Sequence, residues 1–537
     1  MSELRKTVCP LCLNGCRVGV RYDGYQYQIE YLTNLEPNYG RLCPRGNSAN
    51  IVLDHPKRLC YPLLDGKEIT WERAFDLIQE WRSQCSSEEI AVVYSRGLQD
   101  EEIKVVYGMA DALGMANIVC GYLEPGNYFW YQLEGVKQAK LEDITASRAT
   151  LLVGDIFSTS PVAAKPILEA RYADKTSRLI VIDSIKTKQA GFAHIFIQVK
   201  PGTEFLALLA IAGILDPNLR IDIDDCVKRS GVQRNIIEQV AQILKNTESG
   251  FVGASICFGR VDNPLLFSLC VQLVALKANK PFTGFTEALV PEGKISFGKL
   301  REKISQGKIK MLFWFGGLFP YSYPEVFPEM NNVRFRVASS IFRPANPLPG
   351  LVLPVPSEYE KEGRAETLWG EVRREPIAQP VSGTKPLSEI IKRIAGKEIQ
   401  PLPLPERKRL SVAEVLQNAE GGMRKAECGR RNAEGDGFLL LGEKPAFGVG
   451  GFFDQENKIA INPADAHKLN VKEGEWVMVK SRTGELSFQC DITTAVPEGM
   501  VSVGVNNHKN RALFRVEVDE KTGIVTIPPT KVEIWRA

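Results

Sequence analysis

The sequence predicts a multidomain α/β protein with a small cysteine-rich amino-terminal domain, two doubly wound parallel-sheet units and a carboxy-terminal β-barrel. Four cysteines fall within the first 46 residues, strand patterns alternate with helical patterns between residues 90 and 340, and short strands follow residue 437. These observations divide the chain into a cysteine domain at 1–56, an α/β core at 57–377, a linker at 378–436 and a barrel at 437–537.

The composition is that of an ordinary globular protein, with 44% hydrophobic and 24% charged residues among 537. The net charge of +3 is too small to indicate the basic surface typical of a nucleic-acid-binding protein. The sequence has no apolar run long enough to cross a bilayer, and Met1–Lys6 carries no hydrophobic signal segment behind its charges. We therefore expect a cytoplasmic protein without a transmembrane segment that binds no nucleic acid.

The cysteine domain is built around Cys9, Cys12, Cys16 and Cys43, at spacings of three, four and twenty-seven residues. Three thiolates in one tight loop and a fourth from a later loop suit a cubane 4Fe–4S cluster, which needs four soft ligands around one small volume. A structural zinc site is the alternative, although zinc ligands usually come as two separated Cys-x-x-Cys pairs. The thiols could also lie close together without binding a metal.

Local patterns around these cysteines predict the next elements. Apolar residues alternate from Arg17 to Tyr31 about Asp23-Gly24, which predicts a hairpin with a tight turn that brings Cys43 onto the cluster. A helix is predicted from Thr70 to Ile78, with Thr70 as its N-cap.

Buried strands followed by helices predict parallel sheets, with strands at 90–94, 149–154 and 178–183 in a first unit and at 310–317 and 334–340 in a second. Ligands of such sheets bind beyond the carboxyl ends of the strands. The candidate ligand-binding residues at these ends are Gly154, Asp155, Asp183, Ser184, Gly316, Gly317, Ser339 and Ser340. Alternatively, each glycine only ends its strand.

The cysteine pattern, followed by Pro44-Arg45-Gly46, resembles the amino terminus of the molybdopterin oxidoreductase family, which includes formate dehydrogenases. The resemblance implies that the four cysteines hold a 4Fe–4S cluster and that Arg45 lies between this cluster and a pterin. A cation there stabilises the negative charge that arrives with an electron.

Two further segments carry the same resemblance. Lys200–Glu204 is similar to the family's Pro-Gly-Thr-Asp loop, and the Asn462 segment with residues 496–501 is similar to its carboxy-terminal dinucleotide-binding barrel. The resemblance implies two molybdopterin guanine dinucleotides with molybdenum or tungsten. The residues that it assigns to them are Gly154, Asp155, Asp183, Gly202, Thr203, Gly316, Gly317, Ser340 and Asn462.

A weaker similarity covers Leu351–Pro354 and the segment 360–371. The family commonly has Asn and Arg where this chain has Thr367 and Glu371.

The family's metal usually has one protein ligand after the first long helix, and Cys120 is the thiol in that region. Gly121 follows it, where formate dehydrogenases have a histidine. A second alignment keeps Asn117 in register and puts Glu124 or Pro125 at the ligand position. Cys120 could also be an ordinary buried thiol.

The resemblance implies an enzyme similar to formate dehydrogenase, in which electrons pass between a metal–pterin site and one cluster. A one-carbon substrate and iron–sulfur or flavin partner subunits are implied with it, since the chain has neither a second cluster motif nor a nicotinamide fingerprint. Two alternatives are a formylmethanofuran dehydrogenase-type reduction of carbon dioxide and a non-catalytic electron-transfer scaffold similar to the large iron–sulfur subunit of NADH dehydrogenase.

Overall fold

The computed structural model describes residues 3–316, 328–344, 350–431, 437–443, 457–505, 508–518 and 525–537. It confirms the predicted class, because parallel sheets are followed by a closed six-stranded barrel. Within these ranges, no helix is both long and apolar enough to cross a bilayer.

The amino-terminal domain is an antiparallel sheet of β1 (Arg5–Val8), β2 (Arg17–Tyr22) and β3 (Tyr27–Glu30), followed by α1 (Ala49–Asp54). The predicted hairpin is β2–β3, but its loop runs over four residues, 23–26, and is not a two-residue turn. The Asp23 carboxylate accepts hydrogen bonds from the backbone N–H of Tyr25 and Gln26, which stabilises the longer loop.

The middle of the chain alternates strands and helices. Up to residue 277 these are β4 (Leu63–Leu64), β5 (Lys67–Glu68), α2 (Trp71–Ser83), β6 (Ile90–Tyr94), α3 (Asp100–Ala112), β7 (Asn117–Cys120), β8 (Gln132–Leu133), α4 (Leu141–Thr145), β9 (Ala149–Val153), α5 (Ile156–Thr159), α6 (Ala164–Ala173), β10 (Arg178–Asp183), β11 (Ile195–Gln198), α7 (Glu204–Leu215), α8 (Ile223–Ser230), α9 (Arg234–Asn246), β12 (Gly250–Ala254) and α10 (Pro264–Lys277). Thr70 caps α2 as predicted, because its hydroxyl accepts from the N–H of Arg73.

The elements that follow continue the two sheets and cover them. They are β13 (Phe282–Gly284), α11 (Phe297–Ser305), β14 (Met311–Phe315), β15 (Phe335–Ser340), β16 (Leu351–Pro354), β17 (Gly363–Thr367), β18 (Gly370–Arg374), α12 (Leu387–Ala395), β19 (Arg409–Leu410) and α13 (Val412–Arg431).

One sheet is fully parallel, in the order β11-β10-β9-β12-β13. The helices α7 and α10 are apolar on nearly every face and are buried over most of their length. The strands of this sheet are apolar on both faces, as expected for a parallel sheet with helices on either side.

The second sheet has the order β5-β4-β16-β15-β14-β6-β7, and its strands from β16 to β7 are parallel. The sequence assigned β6 to the same unit as β9 and β10, and this grouping is wrong, since β6 pairs with β14. Both sheets have equally apolar strands, so the pattern alone does not identify the partner. The chain therefore leaves the second sheet after β7 and returns to it at β14.

The segment predicted as a linker contains packed elements among its described residues. In α12, Leu387, Ile390, Ile391 and Ile394 are buried in the core of the seven-stranded sheet. In α13, Val415 and Ala419 contact the core of the five-stranded sheet. The proline-rich composition between these helices hid their amphipathic pattern.

The carboxy-terminal barrel closes in the order β20-β24-β21-β23-β22-β27. Its strands are β20 (Phe438–Glu443), β21 (Lys458–Ile461), β22 (Trp476–Lys480), β23 (Glu485–Ile492), β24 (Met500–Gly504) and β27 (Thr530–Arg536), with α14 (Pro463–Lys468), α15 (His508–Arg511) and the short pair β25 (Glu517–Val518) and β26 (Val525–Thr526) beside them. Residues 482–484, Arg-Thr-Gly, form the tight connection of the β22–β23 hairpin, where Lys480 pairs with Glu485.

Candidate cofactor site

The four cysteines of the amino-terminal domain line one cavity. Cys9 follows β1 and Cys16 precedes β2, and the N–H of Cys9 donates to the Cys16 carbonyl at 2.8 Å. Pro161 and Val162, which come after β9 and α5 in the chain, also line this cavity. The fold thus brings together the four thiols that the sequence assigned to a cluster.

The thiols lie in an apolar setting that disfavours their charge. Burial raises the pKa of Cys9 to about 12, with a further contribution from Cys12. Burial also raises the pKa of Cys12 and of Cys16. Cationic iron would reverse this effect, because a metal-bound thiol loses its proton. The four soft donors therefore fit an iron–sulfur cluster.

Among the residues that the structure describes, no three His, Cys, Asp or Glu side chains come close enough to hold a single metal ion. A cubane distributes its four irons over its corners, so its thiolates surround a volume and do not converge on one point.

The hairpin β17–β18 presses on the loop between Cys12 and Cys16. The Leu368 N–H donates to the Leu13 carbonyl at 2.7 Å, and the Trp369 indole donates to the Asn14 carbonyl at 2.9 Å. Thr367 lies so close to Gly15 that a Cβ there would be 2.6 Å from its methyl group. Thr367 stands where the resemblance places an asparagine, and in this structure it packs on the cysteine loop.

Arg45, two residues after Cys43, is buried at 3% exposure and lines the same cavity. One of its terminal nitrogens donates to Glu287 Oε1 at 3.0 Å, and the other donates to the carbonyls of Ser158 and Thr159. Glu287 Oε2 accepts in turn from Arg96 at 2.5 Å. An ion-paired chain thus runs from the cysteine cavity to Arg96, just beyond the end of β6.

The carboxyl end of the five-stranded sheet carries a second set of polar groups. Asp183 ends β10, is buried, and pairs with Arg260 at 3.0 Å. Burial raises the pKa of Asp183 to about 6, so the carboxylate is ionised and paired at neutral pH. Asp155 caps α5 through the N–H and hydroxyl of Ser158. Both predicted residues lie at the edge where ligands of such sheets bind.

The loop Lys200–Glu204 lies beside this edge. Thr203 donates its hydroxyl to the Lys200 carbonyl at 2.6 Å, and Gly202 adopts φ +75° against the Asp262 carboxylate. Burial raises the pKa of Glu204 well above its usual range.

Several buried polar atoms here have no hydrogen-bond partner among the described residues, namely Oγ of Ser160, Oγ of Ser184 and Oε2 of Glu204. Unpaired buried polar groups are costly, so the edge is chemically suited to a polar ligand such as a dinucleotide.

The other predicted cofactor residues have local partners. The Gly316 N–H donates to Ser339 Oγ at 3.1 Å, and Ser340 Oγ donates to the Phe342 carbonyl at 2.8 Å. Asn462 caps α14 and donates to the Val496 carbonyl at 2.8 Å, which joins the two barrel segments of the resemblance. Gly317 lies outside the described residues.

Cys120 ends β7, and its thiol lies in an aromatic setting. Burial raises its pKa to about 12, and the charge of Glu292 adds to this effect. The neighbouring phenols of Tyr94 and Tyr107 share a hydrogen bond at 3.1 Å. Asn127 Nδ2 approaches the sulfur at 4.0 Å.

Glu124, the alternative ligand, faces a different neighbour. Its carboxylate accepts from Arg511 of the barrel at 2.9 Å, across the boundary between the core and the carboxy-terminal domain. The two candidate ligands therefore lie in different surroundings, one aromatic and one ion-paired.

Sequence reasoning missed Glu287, Arg96 and Arg260. Arg96 stands two residues after the predicted strand 90–94, so its place at a strand end could have been read from the sequence. Glu287 follows β13, which is only three residues long and leaves no recognisable strand pattern. Its approach to Arg45 depends on a contact between residues 242 positions apart.

Replacing Gly154 with alanine is expected to destabilise the fold strongly. Gly154 has φ +77°, and an added Cβ would lie 2.1 Å from the Ser255 carbonyl oxygen. Gly307→Ala is the matched control, since Gly307 has φ +68° and open space around it. The control should cost ~1–2 kcal/mol for its backbone strain alone. In chemical denaturation Gly154→Ala should lose at least ~2 kcal/mol more, and equal losses would contradict the close approach.

The fold and this site define a multidomain α/β protein with four thiols around one cavity and a polar strand-end edge. Residues 451–531 match the family model described as molydopterin dinucleotide binding domain. The F420-dependent formate dehydrogenase subunit alpha of Methanocaldococcus jannaschii is 26% identical over 261 residues, which cover 46% of this chain and 36% of that protein. A nitrate reductase of Klebsiella oxytoca is 26% identical over 39% of this chain and 26% of its own length.

Among solved structures, acetylene hydratase from Pelobacter acetylenicus aligns with a TM-score of 0.77 at 13% identity, covering 99% of this chain and 100% of that one. This likeness shows the fold. The matched domain and these relatives make the chain similar to members of the molybdopterin oxidoreductase family. It spans about a third of the length of the formate dehydrogenase subunit that it matches.

Proposed function

We propose that the chain is a formate dehydrogenase-like oxidoreductase subunit that holds one 4Fe–4S cluster and two molybdopterin guanine dinucleotides with molybdenum or tungsten. The observation that carries the proposal is the cavity shared by Cys9, Cys12, Cys16 and Cys43, from which Arg45 leads toward the strand ends. When bound, the metal–pterin group would exchange two electrons with a one-carbon substrate such as formate or carbon dioxide.

The chain's own residues would bind and orient these groups. The four cysteines would ligate the cluster, and Arg45, held by Glu287, would place a fixed positive charge between the cluster and the pterin. Asp183 with Arg260, Gly202 and Thr203 would form one dinucleotide cradle at the five-stranded sheet. Asn462 and the barrel would cover the dinucleotides from the carboxy-terminal side.

The partner would be an iron–sulfur or flavin subunit that accepts electrons from the single cluster. Large apolar side chains that are exposed on the amino-terminal part of the chain support a docking surface there. They are Tyr22, Tyr25, Tyr31, Tyr39, Ile51 and Tyr61. Such aromatic residues are enriched at protein interfaces.

Two alternatives remain in the same family. A formylmethanofuran dehydrogenase-type activity would use the same site on a different one-carbon substrate. One observation favours an electron-transfer scaffold without the metal. Glu124, one of the candidate metal ligands, already forms an ion pair with Arg511.

The deciding experiment is metal and cofactor analysis of the chain purified in its native complex. Four irons, one molybdenum or tungsten and two pterin dinucleotides per chain, with formate-dependent dye reduction, are expected. Iron without the second metal and without pterin would contradict the enzyme and support the scaffold. Purification as a lone, fully active monomer that reduces a nicotinamide would contradict the partner assignment.

A further inference from the structure

The loop that follows β13, residues 285–291, contacts both halves of the cysteine site. The Thr286 carbonyl accepts from the N–H of Leu13, between Cys12 and Cys16, at 3.1 Å. The next residue, Glu287, accepts from Arg45, two residues after Cys43, at 3.0 Å. One short loop therefore holds the early cysteine loop and the late one together.

The same loop is fixed from its other side. The Val290 N–H donates to Asn127 Oδ1 at 2.8 Å, and Asn127 Nδ2 donates to the Val290 carbonyl at 3.2 Å. Asn127 belongs to the segment that follows Cys120. A hydrogen-bonded connection thus joins the cysteine cavity to the region of the candidate metal ligands.

Within this loop Glu287 is the charged group, and it bridges two arginines. Its side chain is 11% exposed, against 4% for Arg45 and 31% for Arg96. The two guanidinium groups bind its two oxygens separately, at 3.0 Å and 2.5 Å. Because Arg45 lines the cysteine cavity, the charge of this group acts on whatever the cysteines hold.

We propose that Glu287 is a positioning residue that holds Arg45 against the cluster and sets the cluster's reduction potential by offsetting the charge of two arginines. The inference rests on the proposed cluster. Removing the carboxylate leaves the arginines uncompensated, which favours the reduced, more negative cluster and raises the potential. Removing Arg96 should shift the potential in the opposite direction, because one positive charge near the cluster is then lost while Glu287 keeps its negative charge.

The test is redox titration of the cluster, followed by electron paramagnetic resonance, in Glu287→Gln, Arg96→Gln and Glu329→Gln. Glu329 is the matched control, because it is also 11% exposed and pairs with an arginine, Arg301, but neither residue lines the cysteine cavity. Glu287→Gln should shift the one-electron equilibrium toward reduction at least tenfold, about 59 mV. Arg96→Gln should lower the potential, and Glu329→Gln should leave it unchanged.

A potential in Glu287→Gln within the range of the control would overturn the inference while leaving the cluster assignment intact. If Glu287→Gln fails to fold, an unchanged or raised potential in Arg96→Gln overturns it instead. A wild-type protein with no reducible cluster signal would contradict the proposed function itself. Glu287→Asp, which keeps the charge, should stay closer to the wild-type potential than Glu287→Gln.

Discussion

Cys12→Ser is expected to abolish the cluster signal and to unfold the amino-terminal domain at a much lower temperature than in the wild type. Cys12 lies in the loop that supplies three of the four thiols, and a serine oxygen is a harder donor that iron–sulfur clusters bind poorly. Ligation and folding are coupled at such sites, because the preformed site does not exist in the unfolded chain.

The magnitude follows from the size of the domain. Its buried apolar residues include two of the proposed ligands, Cys9 and Cys16, and they share one apolar cluster with Phe342, Tyr359, Ile377 and Ala378 of later segments. A domain of this size has little apolar area to replace a lost cluster. A loss of 1 kcal/mol in unfolding free energy lowers the unfolding midpoint of a 60–100-residue domain by ~4–8 °C. We expect Cys12→Ser to lower the midpoint by more than this.

Iron content, visible absorbance and calorimetry measure these effects together. Cys60→Ser is the control, since Cys60 is a half-buried thiol in the same part of the chain that does not line the cavity. The control should keep its iron and its unfolding midpoint. Full iron content in Cys12→Ser would remove Cys12 from the ligand set.

Much of the fold can be predicted from local patterns in the sequence. The cysteine spacing, the Thr70 cap and the β22–β23 hairpin each depend on residues close together in the chain, and the structure has each of them. The grouping of β6 with β9 failed, because two parallel sheets with equally apolar strands are distinguished only by their pairing.

The candidate site divides in the same way. Arg45 could be singled out because it stands two residues after Cys43. Its partner Glu287 could not, since a carboxylate in a loop after a three-residue strand looks like any solvated charge. Buried ion pairs between distant segments are products of topology, and no local periodicity reports them.

Gly154 could be predicted from the sequence only in part, unlike Arg45, which could be predicted, and Glu287, which could not. The sequence shows a glycine after a buried strand, which is compatible with a simple strand end. The structure requires glycine at this position for two reasons. Its φ is positive, and Ser255, which directly follows the neighbouring strand β12, approaches it closely. Only the pairing of β9 with β12 reveals this close approach.

Cys120→Ala is expected to abolish turnover while leaving the cluster signal and the pterin content nearly intact. In the proposed enzyme the thiolate would tune the metal, whereas the proposed dinucleotide cradles would be built by other strand ends. Glu124 already has a charge partner in Arg511 at 2.9 Å, which leaves Cys120 as the softer donor after β7. Burial holds the pKa of the free thiol near 12, so the metal itself would have to favour the thiolate.

Glu124→Gln provides the comparison, measured in the same metal-loaded complex with formate and an artificial electron acceptor. It should keep most of the turnover and lose the ion pair with the barrel. In a scaffold without the metal, Cys120→Ala would cost only the packing of a small side chain, ~1–2 kcal/mol of unfolding free energy, and electron transfer would persist. Unaltered turnover in Cys120→Ala together with loss of turnover in Glu124→Gln would transfer the ligand role to the carboxylate.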